Sequence, residues 1–303
     1  MKKETLLSQF TSLQEKLENL EAASPTEETR LRAREAFQVA ESLWQDCKSG
    51  MDELAEQIQE VQQAKHKFTS HVTHELRLPL TSIRGYTDLL RQGITGPVTE
   101  QQLNFLNVIK NNVERMSALI SDLSDVNYLE SGRMKLNQKL IFLEEYVEEA
   151  LNSFKSRLAE KEQTLVVNIP EQSRPVYADS NRLVQIVSTL VSNAHKYTPQ
   201  GGKISLRALE ASGKIRVEIS DTGIGISPAD QEQIFTQFFR SEHEGVREHP
   251  GWGLALHLAK KLVEAMDGEM GFESTLNQGS TFWFTLPTQP PAGTPAPQAG
   301  CEE

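Results

Sequence analysis

Only two cysteines, Cys47 and Cys301, occur in 303 residues. They form no disulfide framework, so a reducing compartment is the default expectation. Long apolar runs are missing as well. No stretch approaches the roughly 18–20 residues that cross a bilayer as a helix, and the opening MKKETLLSQF lacks the apolar core of a signal peptide. Basic excess is absent too. The net charge is −11, whereas a nucleic-acid footprint needs a positive face. No internal repeat is visible. These absences predict a cytoplasmic protein with no nucleic-acid partner and no membrane segment.

What is present fits about two domains, with 38% hydrophobic and 24% charged residues. Residues 3–22 read as an amphipathic helix through Leu6, Phe10, Leu13, Leu17 and Leu20. Ser24-Pro25-Thr26-Glu27 then supplies a cap, a helix-starting proline and an acidic first turn. The next helix is expected to end at Ser49-Gly50. From Met51, Leu54, Ile58, Val61, Phe68 and Val72 form a heptad-like seam. A second copy of the chain is the simplest cover for so narrow a stripe, predicting a homodimer.

The seam runs into FTSHVTHELRLPLTSIRGY, where Val72, Leu76, Leu80 and Ile83 keep helical spacing. Pro79 lies inside that helix. It removes an amide donor and crowds the Glu75 carbonyl, at a cost of roughly 3 kcal/mol or more. The distortion falls beside His74 and Glu75, a nucleophile next to a possible base. On these residues alone, a solvated histidine in a kinked surface helix is the favoured reading. Gly93 to Pro97 ends the helix, and Leu103, Leu106, Ile109, Val113, Met116, Ile120, Leu123 and Val126 mark another, closed by Ser131-Gly132. Two such hairpins make a four-helix bundle.

Beyond Met134, strand-like runs at 165–169, 203–207, 214–220, around Phe272 and at 280–286 alternate with helices at 143–159, 180–196 and 254–267. Antiparallel strands with helices on one face imply an α+β sandwich. The Pro/Gly/Ala-rich tail is expected to be disordered.

Three clusters here carry chemistry. Asn193 and Lys196 share a helix face and can meet a metal ion and phosphates together. Asp221-Thr222-Gly223-Ile224-Gly225 follows a strand; its glycines admit a ligand to the backbone, and Asp221 can accept from an amine. Gly251-Trp252-Gly253-Leu254 opens a helix whose free amides suit an anion. Between the last two, SEHEGVREHP reads as a mobile loop able to close over a ligand. Singly, each also reads as an ordinary polar face or turn.

In this order, the motifs over about residues 60–288 resemble the sensor histidine kinases of two-component signalling. His74-Glu75-Leu76-Arg77 with Pro79-Leu80 resembles the H box. Arg115-Met116, Leu119-Ile120 and Asp122-Leu123 resemble the second hairpin helix, and Asn193-Ala194 with Lys196-Tyr197-Thr198-Pro199 the N box. Asp221 to Ile226, Phe235 with Phe238-Phe239-Arg240, Gly251-x-Gly253-Leu254 and Gly279-Ser280-Thr281-Phe282 resemble the remaining boxes. The resemblance implies a helical signalling segment at 1–60, a dimerisation and phosphotransfer hairpin at 61–132, an ATP-binding α+β sandwich at 133–288 and a tail at 289–303.

By the same resemblance, His74 attacks the γ-phosphate of ATP with Glu75 holding the proton at Nδ1. Asn193 binds Mg²⁺ and Lys196 the phosphates. Tyr197, Gly223, Gly225, Gly251, Gly253, Leu254 and Thr281 line the nucleotide site, Asp221 takes the adenine amine, and Arg240 approaches the phosphates from the lid. The implied partners are a response-regulator receiver domain, a second copy, and an upstream sensor through residues 1–60. Three departures stand out. Leu78 replaces the polar residue that orients a dephosphorylating water, Thr189 an N-box asparagine, and Ala255 the last glycine of its box. They leave open a degenerate kinase acting as a scaffold or phosphotransfer partner. His66, His195, His243, His249 and His257 are read as surface or lid residues.

Overall fold

The computed structural model describes residues 12, 15, 16, 19, 26–170, 174–211, 213–249 and 251–290. Of the helix expected over 3–22, residues 12, 15, 16 and 19 are described and are helical; its other residues, the Ser24-Pro25 cap and the tail beyond 290 lie outside the described residues. The chain divides into two units, Met1–Lys67 and Phe68–Glu303.

Helix α1 spans Glu27–Arg91, 65 residues, and belongs to the first unit up to Lys67. It runs through Ser49-Gly50 without the expected break. A helical glycine costs only about 1 kcal/mol relative to alanine, a small penalty among the Glu, Gln, Leu and Lys residues around it. Leu54, Ile58 and Val61 stand exposed along this stretch of the single chain.

In the second unit, α1 accommodates Pro79 and carries His74 to its end at Arg91. A capping box then starts α2 (Glu100–Glu130): the Thr99 hydroxyl accepts from the Gln102 amide while the Gln102 side chain accepts from Thr99 N–H. The hairpin is tied by Arg91 donating to Asn107 (3.0 Å) and by Lys110 beside Asp88 (3.3 Å). Its own core is small, only Leu80, Val113 and Ile120. Leu76, Ile83, Leu103, Ile109 and Met116 remain exposed in the single chain, apolar surface that another chain can cover.

The remaining elements are β1 (Lys139–Ile141), α3 (Leu143–Asn152), α4 (Lys155–Glu160), β2 (Thr164–Asn168), β3 (Val176–Ala178), α5 (Ser180–Tyr197), β4 (Lys203–Ala211), β5 (Lys214–Asp221), α6 (Pro228–Gln231), α7 (Glu244–Arg247), α8 (Ala255–Ala265), β6 (Met270–Thr275) and β7 (Gly279–Pro287). The single helix expected over 143–159 is two, because the chain turns at Ser153-Phe154 to bury Phe154. β1 and β3 make a separate antiparallel pair. The main sheet has the order β2-β4-β5-β7-β6. It is not wholly antiparallel as expected, since β2 runs parallel to β4.

Strand alternation sets two faces. On β7, Phe282, Phe284 and Leu286 are buried in the main core with Leu183, Ile186, Leu190 and Leu262 from α5 and α8. On the opposite side of β5, Glu218 pairs with Arg207 and Arg216, and Arg216 lies over the Trp283 ring at 4.2 Å. The hairpin joins the helical layer, formed by α5 and α8, through α2. Val126 enters the main core, and Asp125 takes a bidentate hydrogen-bond pair from Arg182 (2.7 and 3.1 Å).

Candidate active site

A cavity of about 320 Å³ opens where α5, the loop after β5, the segment before α8 and helix α2 meet. That volume lies in the range of small-molecule sites. Asn193, Lys196, Tyr197, Asp221, Gly225, Arg240, Gly251, Gly253 and Leu254 line it. Local structure explains their convergence. Asp179 caps α5 by accepting from the Arg182 amide (3.2 Å). The amphipathic α5 then buries Val187, Leu190, Val191 and Ala194, leaving Asn193, Lys196 and Tyr197 on the wetter side.

At the end of β5, Asp221 Oδ1 accepts from Gly223 N–H (2.8 Å). Burial raises the Asp221 carboxyl above its usual range, while backbone hydrogen bonds from Gly223 and Ser280 pull it back. Gly225 has φ 65°, and a Cβ there would stand 2.0 Å from the Thr275 carbonyl oxygen. Gly253 has φ 69°, with Phe239 O at 2.4 Å from such a Cβ. Each is a place where only glycine lets the backbone pass.

Lys196 is held below its usual pKa by burial and by the nearby Arg157 and Arg240, an effect Asp122 opposes. A desolvated ammonium in a cationic setting is suited to a polyanion. Tyr197 is raised by burial, and His249 meets its ring edge-on at 5.8 Å between centroids. Arg240 faces the cavity while donating to the carbonyls of Gly251 (2.6 Å), Val246 (2.9 Å) and His249 (2.7 Å). It therefore ties residues 241–249, where the short α7 sits, to Gly251.

Other expected residues stand elsewhere. Thr281 is turned from the cavity by strand alternation and donates to Ser220 (2.9 Å), while its neighbours Ser280 and Phe282 line the cavity. Gly223 supports the turn through Asp221. Thr189 is not among the described lining residues. His195 is half-buried rather than a surface residue, with Nδ1 2.7 Å from Gln163 Oε1, and His257 Nδ1 lies 3.0 Å from Phe235 O.

His74 and Glu75 lie on α1, away from the cavity lining. His74 Nδ1 is 3.4 Å from Glu75 Oε1, and the histidine side chain is 67% exposed. The hairpin side of the cavity comes from α2: Arg115, Ala118, Leu119 and Asp122. The sequence offered no signal that Arg115 and Asp122 would face a site some 70 residues downstream. Burial, then Asp125, pushes the Asp122 carboxyl up to about 6, against the pull of Lys196. Among the described residues, no cluster of three or more His, Cys, Asp or Glu side chains could hold a metal by itself. Magnesium with a nucleotide needs no such cage, because the phosphates supply ligands; the Asn193 amide oxygen on this cavity fits that use.

Comparison with known proteins gives the same answer in both parts of the chain. Residues 64–132 match the family model described as the His Kinase A (phospho-acceptor) domain, and residues 178–290 the one described as the histidine kinase-, DNA gyrase B- and HSP90-like ATPase. The circadian input-output histidine kinase CikA of Synechococcus elongatus is 36% identical over 228 residues, covering 75% of this chain and 30% of that protein. The signal transduction histidine-protein kinase BarA of Escherichia coli is 34% identical over 241 residues, covering 78% and 26%. Among solved structures, full-length ShkA in complex with AMPPNP aligns with a TM-score of 0.63 at 25% identity, covering 73% of this chain and 45% of that one. The Acinetobacter baumannii histidine kinase AdeS aligns at 0.53 and 26%, covering 72% and 98%. The chain thus spans about a third of the length of the curated relatives it matches. With a phosphoacceptor hairpin and an ATPase sandwich in the order of these relatives, the chain belongs to the histidine kinase family.

Proposed function

We propose that this chain is an ATP-dependent histidine autokinase that phosphorylates His74 and passes the phosphoryl group to an aspartate of a response regulator. The observation that carries the reading is the meeting of Asn193, Lys196, Tyr197 and Asp221 on one cavity, in a chain whose exposed His74 has its Nδ1 beside Glu75. Glu75 holds the Nδ1 proton, so the Nε2 lone pair is the nucleophile. As the Nε2–P bond forms, the bond from the γ-phosphorus to the bridging oxygen breaks and ADP leaves. Lys196 and Arg240 stabilise the phosphate charge and Asp221 takes the adenine amine; catalysis is mainly positioning and charge neutralisation. Magnesium, when bound, supplies further charge neutralisation, and Asn193 is the residue that holds it. In the second reaction the N–P bond breaks as an aspartyl oxygen of the regulator takes the phosphorus.

The cavity meets the hairpin through α2, whereas His74 is on α1, so the ATP-binding layer shifts, or a second copy presents its His74, before transfer. The exposed stripe of Leu76, Ile83, Ile109 and Met116 supports a homodimer. An acidic chain with no helix among the described residues able to cross a membrane fits a cytoplasmic location. Residues 1–60 form the signalling segment that receives an upstream partner, 61–132 the phosphotransfer hairpin, 133–288 the ATP-binding domain and 289–303 the tail.

Leu78, Thr189 and Ala255 favour a second reading, a degenerate kinase acting as scaffold or phosphotransfer partner. Equilibrium dialysis against ATP with magnesium, followed by autophosphorylation of the same sample, separates the two. Binding with acid-labile label supports the kinase; binding or no binding without label supports the scaffold.

A further inference from the structure

The cavity is served by a turn that never touches it. Helix α4 ends at Glu160 with Lys161 as its C-cap, and Glu162 takes the left-handed conformation at φ 53°. Glu162 N–H donates to Ala159 O (3.0 Å) and Gln163 N–H to Leu158 O (2.9 Å). This paired closure is a Schellman motif built without glycine, a conformation that a non-glycine residue adopts only when its surroundings hold it there. Its effect is to send Lys161 and Gln163 to the C-terminal end of α5.

The last carbonyls of a helix have no partner within it, and here the turn supplies one. Lys161 Nζ donates to the carbonyls of His195 (3.1 Å), Lys196 (3.3 Å) and Thr198 (3.5 Å). Gln163 Nε2 donates to those of Thr198 (2.7 Å), His195 (3.2 Å) and Pro199 (3.4 Å). With the amide nitrogen committed to carbonyls, Gln163 Oε1 is the acceptor for His195 Nδ1 at 2.7 Å. Gln163 is buried, 7% exposed, and main-chain bonds from Gly201 to Lys161 (3.0 Å) and from Thr164 to Gly202 (3.0 Å) seal the contact. The clamped residues sit at the cavity: Lys196 and Tyr197 line it, and Tyr197 O accepts from Ile224 N–H (3.2 Å), fixing the Asp221 turn. An ammonium at this helix end also opposes the negative pole of the macrodipole.

We propose that Lys161 and Gln163 are positioning residues that hold the final turn of α5, and through it Lys196 and Tyr197, in the geometry that grips the nucleotide phosphates. The inference rests on the kinase reading above. Gln163→Glu is an isostere that removes the amide donor and faces carbonyl oxygens with a carboxylate. Lys161→Met removes the half-buried ammonium, and Lys161→Arg retains donors.

The test measures ADP affinity of the full chain with magnesium by calorimetry, together with KM and kcat for autophosphorylation and the melting temperature. Lys161→Met and Gln163→Glu are expected to weaken ADP binding by about tenfold and to raise KM for ATP more than they lower kcat, with Lys161→Arg restoring most of the affinity. Transfer from already phosphorylated His74 to a regulator, which needs no nucleotide, stays at the wild-type rate. A merely structural role lowers the melting temperature and the active fraction but leaves the dissociation constant of the folded protein unchanged; that result overturns the proposal. Wild-type affinity in a folded Lys161→Met protein overturns it even if Gln163→Glu does not fold. Failure of the unaltered chain to bind ADP refutes the kinase reading itself, and the clamp with it.

Discussion

Replacing Asp122 by asparagine isolates one titrating group at the seam between hairpin and nucleotide site. The carboxyl is raised from 3.8 to about 6, first by burial and then by Asp125. Because its folded pKa exceeds its unfolded one, the folded state holds this proton more tightly. Stability from this group is therefore complete below pH 3.8 and is lost as pH rises through about 6. At about 1.4 kcal/mol per pH unit, the upper bound on the loss is about 3 kcal/mol. The side chain is only partly buried, and solvent screening reduces the figure to about 1–2 kcal/mol. Asp122→Asn cannot titrate. Urea unfolding of both proteins between pH 4.5 and 7.5 should show the variant gaining on the wild type as pH rises and levelling off above pH 7. The same ionised carboxylate lines the cavity beside Lys196, so on the kinase reading the variant should bind ADP on the order of threefold to tenfold more tightly at pH 7.5 and equally at pH 5. A stability difference independent of pH refutes the assignment.

Three further outcomes follow from particular contacts. Gly225→Ala places a methyl 2.0 Å from the Thr275 carbonyl oxygen at φ 65°, and should weaken ADP binding by tenfold or more and lower stability by about 2–3 kcal/mol, read by calorimetry and urea unfolding. A double-mutant cycle of Arg182→Met and Asp125→Asn should give a coupling of about 1–2 kcal/mol, between exposed and buried values, since their side chains are 26% and 14% exposed. Leu78 has no group to orient water, so regulator dephosphorylation by the wild type should be slow. Leu78→Thr should accelerate it, measured as loss of label from the purified phosphorylated regulator, and rapid His74-dependent loss with the wild type contradicts the argument.

The sequence was informative where residue type and turn chemistry coincide. Asn193 and Lys196 share a face of one amphipathic helix, and the Asp221–Gly225 turn needs a backbone that only glycine provides, so helical spacing and glycine placement marked both clusters, while Tyr197 was expected from the resemblance alone. Elements set by distant packing stayed hidden. β1 and β3 are three residues each, too short to show alternation. The parallel β2–β4 pairing depends on long-range register. Ser49-Gly50 read as a stop, yet one glycine penalty does not interrupt a helix 65 residues long. Thr281 and Ser280 differ by a single step along a strand, which reverses the face. Arg115 and Asp122 stood in a helix motif that did not show which site they face, and Gln163 acquires its surroundings only through tertiary contact, with no local pattern to announce it.

The central claim is that His74 receives the γ-phosphoryl group. The direct measurement is incubation of the full chain with γ-labelled ATP and magnesium, followed by acid and alkali treatment, for the wild type and His74→Gln. The account predicts label on the wild type that is lost in acid and kept in alkali, with none on His74→Gln even though that variant still binds ADP. Label that persists on His74→Gln, or a wild type that binds ADP and takes up no label, contradicts it.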